Sequence, residues 1–166
     1  MEKKLNNNNL NNLEKIIGYK FKDLELLKEA ITHSSKSCFN SKHNFNYERL
    51  EFLGDRILGF VISEEVFRNY LFFSEGQLNT IYQKYINEKF LSKAAKNLNL
   101  DRYIICQRGD NLEKNVSILA DVMESIIAAI YLDSSIIECR SFIFGTNPTS
   151  GVLLSLLLSL LSPIKK

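Results

Sequence analysis

At 166 residues the chain is long enough to bury one core and short for two. Its 45% hydrophobic and 24% charged residues are the balance of a soluble globular protein, which excludes both a disordered polymer and a membrane-embedded bundle. The formal net charge of +2 excludes a strong overall basic field, so a nucleic-acid partner would have to be met by local patches of Lys and Arg.

Few breakers interrupt the chain, with 2 prolines and 7 glycines in all, and long helices follow. The 3 cysteines (Cys38, Cys106 and Cys139) are odd in number and form no Cys-x-x-Cys pair. Free thiols in a reducing compartment fit them best, and the expected localisation is cytoplasmic. The opening Met1-Glu-Lys-Lys-Leu-Asn6 has no apolar core of a signal peptide.

Residues 1–12 are Asn-rich and read as a disordered, low-complexity leader. A short helix is expected over Leu13–Ile17, ended by Gly18. Asp23 then caps a helix carrying Leu24, Leu26, Leu27 and Ile31, which Thr32-His-Ser-Ser35 closes. Lys36–Asn46 reads as a polar loop. The central helix runs from about Tyr47 to Asn69. Ser74-Glu-Gly-Gln77 opens another, with Leu78, Ile81, Tyr82, Tyr85 and Ile86 at helical spacing. A further helix, about Glu88 to Leu98, carries Phe90, Leu91, Ala94 and Ala95. Residues 101–115 form a charged connector with Arg102, Arg108 and Lys114. Ser117–Asp133 is apolar nearly all round, the mark of a helix buried in a core. No segment shows the alternation of a strand, so the expected fold is all-α.

Within the central helix Glu48, Glu51 and Asp55 fall in an arc of about 60°. Leu50, Leu53, Ile57, Phe60 and Val61 lie roughly opposite, between about 120° and 220°. Carboxylates at this spacing repel by a few tenths of a kcal/mol per pair, so the cluster is either a solvated face or a seat for a cation. Gly54 and Gly59 weaken the helix by roughly 1 kcal/mol each and point to a close approach. Phe52 stands beside the acids, outside the apolar arc, where it could meet a partner chain.

Asp121 and Glu124 are the only charges between Lys114 and Asp133. A buried carboxylate is normally neutralised, paired or metal-bound. A buried ion pair with Arg or Lys from another helix is one answer. If this helix packs on the central one, four or five acids converge, and a hard divalent cation on carboxylate oxygens is the other. Zinc fits less well, because His33 and His43 are ten residues apart and the cysteines are scattered. His33 reads as a helix-end or packing histidine. No phosphate-binding loop, nucleophile elbow or His-Glu-x-x-His occurs. Magnesium or manganese on carboxylates points to phosphoryl-ester chemistry.

The segment Glu48-Arg-Leu-Glu-Phe-Leu-Gly-Asp55 resembles the signature of the ribonuclease III endonucleases, which cut double-stranded RNA. Ala30-Ile-Thr-His-Ser-Ser35, Glu75-Gly-Gln-Leu78, Ile86-Asn-Glu88 and Ser117–Asp133 resemble further segments of that family in the same order, over about residues 14–143. The resemblance implies a homodimeric helical nuclease domain over residues 13–145. Glu51, Asp121 and Glu124 would hold magnesium, for which manganese substitutes. Asp55 and Glu124 would be catalytic, Glu48 a supporting acid and Phe52 the dimer anchor. It further implies the processing of ribosomal RNA precursors and structured messenger RNAs.

The family's usual double-stranded-RNA-binding domain has no counterpart in residues 146–166, which carry the leucine-rich run Val152–Leu161. As a helix that run spans about 15 Å, half of a bilayer's hydrocarbon core, so no membrane span is expected. Two other functions compete with a nuclease. One is a catalytically silent, dimeric RNA-binding module. The other is an all-α nucleoside-triphosphate pyrophosphohydrolase, which also uses paired acids on facing helices.

Overall fold

The computed structural model describes residues 7–36, 45–107 and 115–145. Among them are seven α-helices: α1 (Asn7–Ile17), α2 (Leu24–Ala30), α3 (Glu48–Asn69), α4 (Glu75–Tyr85), α5 (Glu88–Asn97), α6 (Val116–Asp133) and α7 (Ile136–Phe144). Short 3-10 turns occupy Ser34–Lys36 and Leu100–Arg102. The only extended pairing among the described residues is an isolated bridge between Thr32 and Ile105. The all-α expectation holds.

Helix α6 organises the packing because its sequence leaves it no alternative. From Ile118 to Ile130 every residue is buried except Asp121 and Glu124. Side chains such as Leu119, Met123, Ile126 and Ile127 are wholly enclosed, and each contributes about 1.5–3 kcal/mol on leaving water. Helix α3 packs most extensively against α6, α5 next, with α2 and α7 at its flanks. Helix α3 turns Leu50, Ile57, Leu58, Val61, Ile62 and Val66 inward. Gly54 is the point of contact: a Cβ built there would stand 1.8 Å from the Glu124 carbonyl oxygen. Only glycine lets the two backbones come that close.

Most helix starts follow the chain's own capping signals. The Asp23 carboxylate accepts from Glu25 N at 2.9 Å, Asn87 Oδ1 from Phe90 N at 3.0 Å and Asn115 Oδ1 from Ser117 N at 3.1 Å. Gln77 Oε1 accepts from Ser74 N at 2.9 Å, one half of a capping box. Gly18, with φ +74°, ends α1 in the left-handed region that favours glycine.

Three expectations need correction. The leader is not disordered throughout, because α1 begins at Asn7 rather than Leu13. Leu10, Leu13 and Ile17 form one buried stripe at helical spacing, and packing overrides the Asn-rich composition. Residues 1–6 lie outside the described residues. Asn46, the end of the expected polar loop, is buried. Phe60, assigned to the apolar arc of α3, is 58% exposed, since it sits at the edge of that arc and α4 leaves it uncovered. Helix α7 carried no sequence signal of its own; Arg140 ties it to α3 through Glu64 at 2.6 Å and Glu65 at 2.7 Å.

Asp133, the last residue of α6, holds the approach to α2. Its carboxylate accepts from the Tyr19 hydroxyl at 2.6 Å, Lys22 N at 2.9 Å and Asp23 N at 2.8 Å. No described helix is long and apolar enough to cross a membrane. The 146–166 tail lies outside the described residues.

Candidate active site

The Gly54–Glu124 contact sets the geometry of the acids. Glu51 precedes Gly54 by one turn and Asp55 follows it directly, so both flank the place where α6 crosses. On α6, Asp121 lies one turn before Glu124. All four carboxylates are half-buried, and Glu48, one turn further out on α3, is exposed.

Their electrostatics show how closely they are coupled. Glu124 is pushed up to about 8, first by burial and then by the charges of Asp55, Glu51 and Asp121, with Arg56 opposing. Glu51 is raised by burial and by Asp121, Glu48 and Asp55. Asp121 is raised by burial and by Glu88, while the Tyr47 hydroxyl and the nearby His33 oppose the shift. The Tyr47 hydroxyl donates to Asp121 Oδ2 at 3.4 Å. Burial raises Tyr47 itself, and Asp121, Glu51 and Glu48 raise it further. Each acid thus makes its neighbour harder to ionise, the signature of negative charge short of a counter-ion.

The ion-pair alternative for α6 is not met among the described residues. Among the described residues, no Lys or Arg pairs with Asp121 or Glu124. Among the described residues, the guanidinium whose charge opposes the shift of Glu124 is that of Arg56, which pairs with Asp55 and lies 4.5 Å from the centre of the Phe52 ring.

The donor set is all carboxylate oxygen, which fits a hard divalent cation in kind. As the side chains stand, no three His, Cys, Asp or Glu groups among the described residues converge tightly enough to hold an ion. The fit is therefore one of donor type and of unmet charge, and closing around a cation requires the carboxylates to rotate.

Phe52 is 65% exposed, so it serves no core. Beside it lies a hollow lined by Leu26, Leu50, Leu53 and Leu132 together with the charged Glu29, Glu48 and Arg49. His33 stands at a helix end, as its position in the sequence implies. Its Nδ1 accepts from Ser35 N at 3.1 Å, and its ring lies 5.6 Å from Tyr47. Sequence reasoning overlooked three residues at the acids: Tyr47, Glu88 and Arg56. Tyr47 was legible in principle, since it precedes Glu51 by one turn and so shares its face. Arg56 carried no signal, because adjacent residues on a helix do not ordinarily face each other.

Comparison with known proteins agrees with this arrangement. A family described as ribonuclease-III-like matches residues 23–147. Ribonuclease 3 of Francisella philomiragia is 46% identical over 135 residues, covering 79% of this chain and 55% of that protein. Ribonuclease 3 of Clostridium tetani is 44% identical over 138 residues, covering 81% and 58%. The chain thus spans about half the length of the curated relatives it matches. The nuclease domain of ribonuclease III from Campylobacter jejuni superposes with a TM-score of 0.75 at 32% identity, covering 95% of this chain and 99% of that one. A second structure of that domain, described for structural flexibility in the region involved in dimer formation, gives 0.73 at 36% identity, with 80% and 92% covered. The match takes in both acid pairs and everything between them, which removes the basis of the pyrophosphohydrolase reading. The chain belongs to the ribonuclease-III-like family.

Proposed function

We propose that this chain is the nuclease part of a magnesium-dependent endoribonuclease that cleaves double-stranded RNA as a homodimer. The observation that carries the reading is the crossing of α3 and α6 at Gly54. It brings Glu51, Asp55, Asp121 and Glu124 near one another on a ribonuclease-III-like scaffold, without a matching set of cations among the described residues.

In this reading Glu51, Asp121 and Glu124 hold magnesium, with manganese as a substitute. Bound there, the ion supplies Lewis-acid stabilisation of charge on the phosphodiester oxygens and lowers the proton affinity of water. Asp55 orients the attacking water, held in place through its pair with Arg56. Tyr47 and His33 steady Asp121 from behind. Glu48, exposed at the outer edge, supports the cluster electrostatically. Phe52 seats in the partner chain, and its neighbouring leucine-lined hollow receives the partner's ring. Ribosomal RNA precursors and structured messenger RNAs are the expected substrates, in the cytoplasm.

The test is a matched pair of incubations, one with labelled duplex RNA and one with a nucleoside triphosphate, each with and without magnesium. Magnesium-dependent cutting of the duplex alone supports the proposal. Intact RNA at every magnesium concentration would reduce the chain to a silent RNA-binding module.

A further inference from the structure

A net charge of +2 leaves the attraction of a polyanion to local features, and one helix carries such a feature. Lys89, Lys93 and Lys96 lie within about 60° of one another around α5. All three are exposed, while Leu91, Ala94 and Ala95 on the opposite side are buried. Like charges at this spacing destabilise a helix slightly, as the acids of α3 do. Lys28, Arg56, Arg68 and Arg140 each pair with a carboxylate; among the described residues Lys15, Lys20 and Lys84 do not, but they lie on separate stretches of the chain rather than in a row. Among the described residues, none of the three α5 lysines does.

Their position gives the stripe a direction. Helix α5 packs along α6, the helix that carries Asp121 and Glu124. Its first residue, Glu88, is close enough to Asp121 for its charge to raise that carboxyl. Asn87 caps this end through Phe90 N, which fixes the first turn. From there the lysines rise by about 10 Å along the helix axis, roughly three nucleotide steps of a strand. A backbone whose scissile phosphate lies at the acids would find its neighbouring phosphates opposite a row of ammonium groups.

We propose that Lys89, Lys93 and Lys96 form a phosphate-binding ridge that grips the duplex RNA backbone where it leaves the acid cluster. The inference rests on duplex RNA being the substrate, and it names the residues that supply affinity within the nuclease part itself. Lysine suits this role, since an ammonium neutralises phosphate without reading sequence.

The experiment measures binding of a short RNA duplex, in EDTA so that nothing is cut, from about 50 to 300 mM KCl. Three proteins are compared: the wild type, K89Q/K93Q/K96Q, and K15Q/K20Q/K28Q, which removes the same charge from α1, α2 and the turn between them. Each lost phosphate contact flattens the log–log salt slope by ~0.7–0.9. The ridge variant should therefore be shallower by ~2–3 and bind ~10–100-fold more weakly at the lowest salt. The control variant should follow the wild type. Gln matches Lys in helix propensity, so the fold should survive. Should the triple variant melt early, K93Q alone should still flatten the slope by ~0.8. Equal slopes for the ridge variant and the wild type overturn the ridge, and so do equal losses in both variants. A parallel incubation of the wild type with magnesium separates the two levels. Duplex cleavage beside an unchanged ridge slope sinks the ridge and keeps the function. A wild type that neither binds nor cuts the duplex removes both.

Discussion

Gly54 and Glu124 touch backbone to backbone, and the cost of changing either follows from that contact. Gly54→Ala puts a methyl 1.8 Å from a carbonyl oxygen that cannot move without shifting α6. Overpacking of this kind costs about 1–3 kcal/mol, more where backbone must yield, and the substitution also spreads the acids. Urea denaturation should show a clearly lowered midpoint, and a wild-type midpoint would refute the close approach. Glu124 makes a second prediction, about pH. Its carboxyl is raised from an ordinary 4.5 to about 8, so the folded chain holds a proton there that the unfolded chain has released. A raised folded value means stability that is full below the unfolded value and lost as pH rises through the folded one. Metal-free protein should thus lose Tm between pH 4.5 and 8, and Glu124→Gln should flatten that decline. A steeper decline in the variant would contradict the burial of this acid. The acids themselves were legible in the sequence, because helical spacing alone gathers Glu48, Glu51 and Asp55. Tyr47 and Arg56 were not, since what they touch depends on rotamers and on a second helix.

Helices with strong local signals were legible to within a residue or two, and those held by tertiary contacts were not. The central helix was expected over Tyr47–Asn69 and runs from Glu48 to Asn69. Helix α1 was half hidden, because Asn-rich composition outweighs one buried leucine until the packing is seen. Helix α7 depends on the Arg140 pairs with Glu64 and Glu65, which link residues far apart in sequence. The join between α6 and α2 is of the same kind. Asp133 accepts two backbone N–H groups and the Tyr19 hydroxyl, which together hold its carboxyl below the ordinary range although burial opposes this. Asp133→Ala removes that acceptor, and because water reaches the exposed Lys22 and Asp23 N–H groups the loss should be about 0.5–1.5 kcal/mol. A depressed folded value means that this stability is present above the unfolded value of 3.8 and lost as pH falls below it. Thermal melts at neutral pH should show a lower Tm for the variant. Equal Tm values would mean that solvent replaces Asp133 without loss.

At the scale of the whole molecule, the exposed Phe52 ring and the hollow beside it bear on assembly. A solvent-exposed aromatic next to a leucine-lined recess is the pattern of an interface anchor. Phe52→Ala should weaken the proposed dimer by about 2–4 kcal/mol, seen in sedimentation as more monomer at micromolar concentration. A dimer of unchanged strength would assign Phe52 another role, such as carrying the Arg56 guanidinium. The measurement that bears most directly on the central claim is cleavage of labelled duplex RNA at low salt by the wild type, Glu124→Gln and Asp55→Asn, with and without magnesium. The account predicts cutting by the wild type with magnesium alone and none by either variant, although both remain folded. Cutting by either variant within tenfold of the wild-type rate would contradict it.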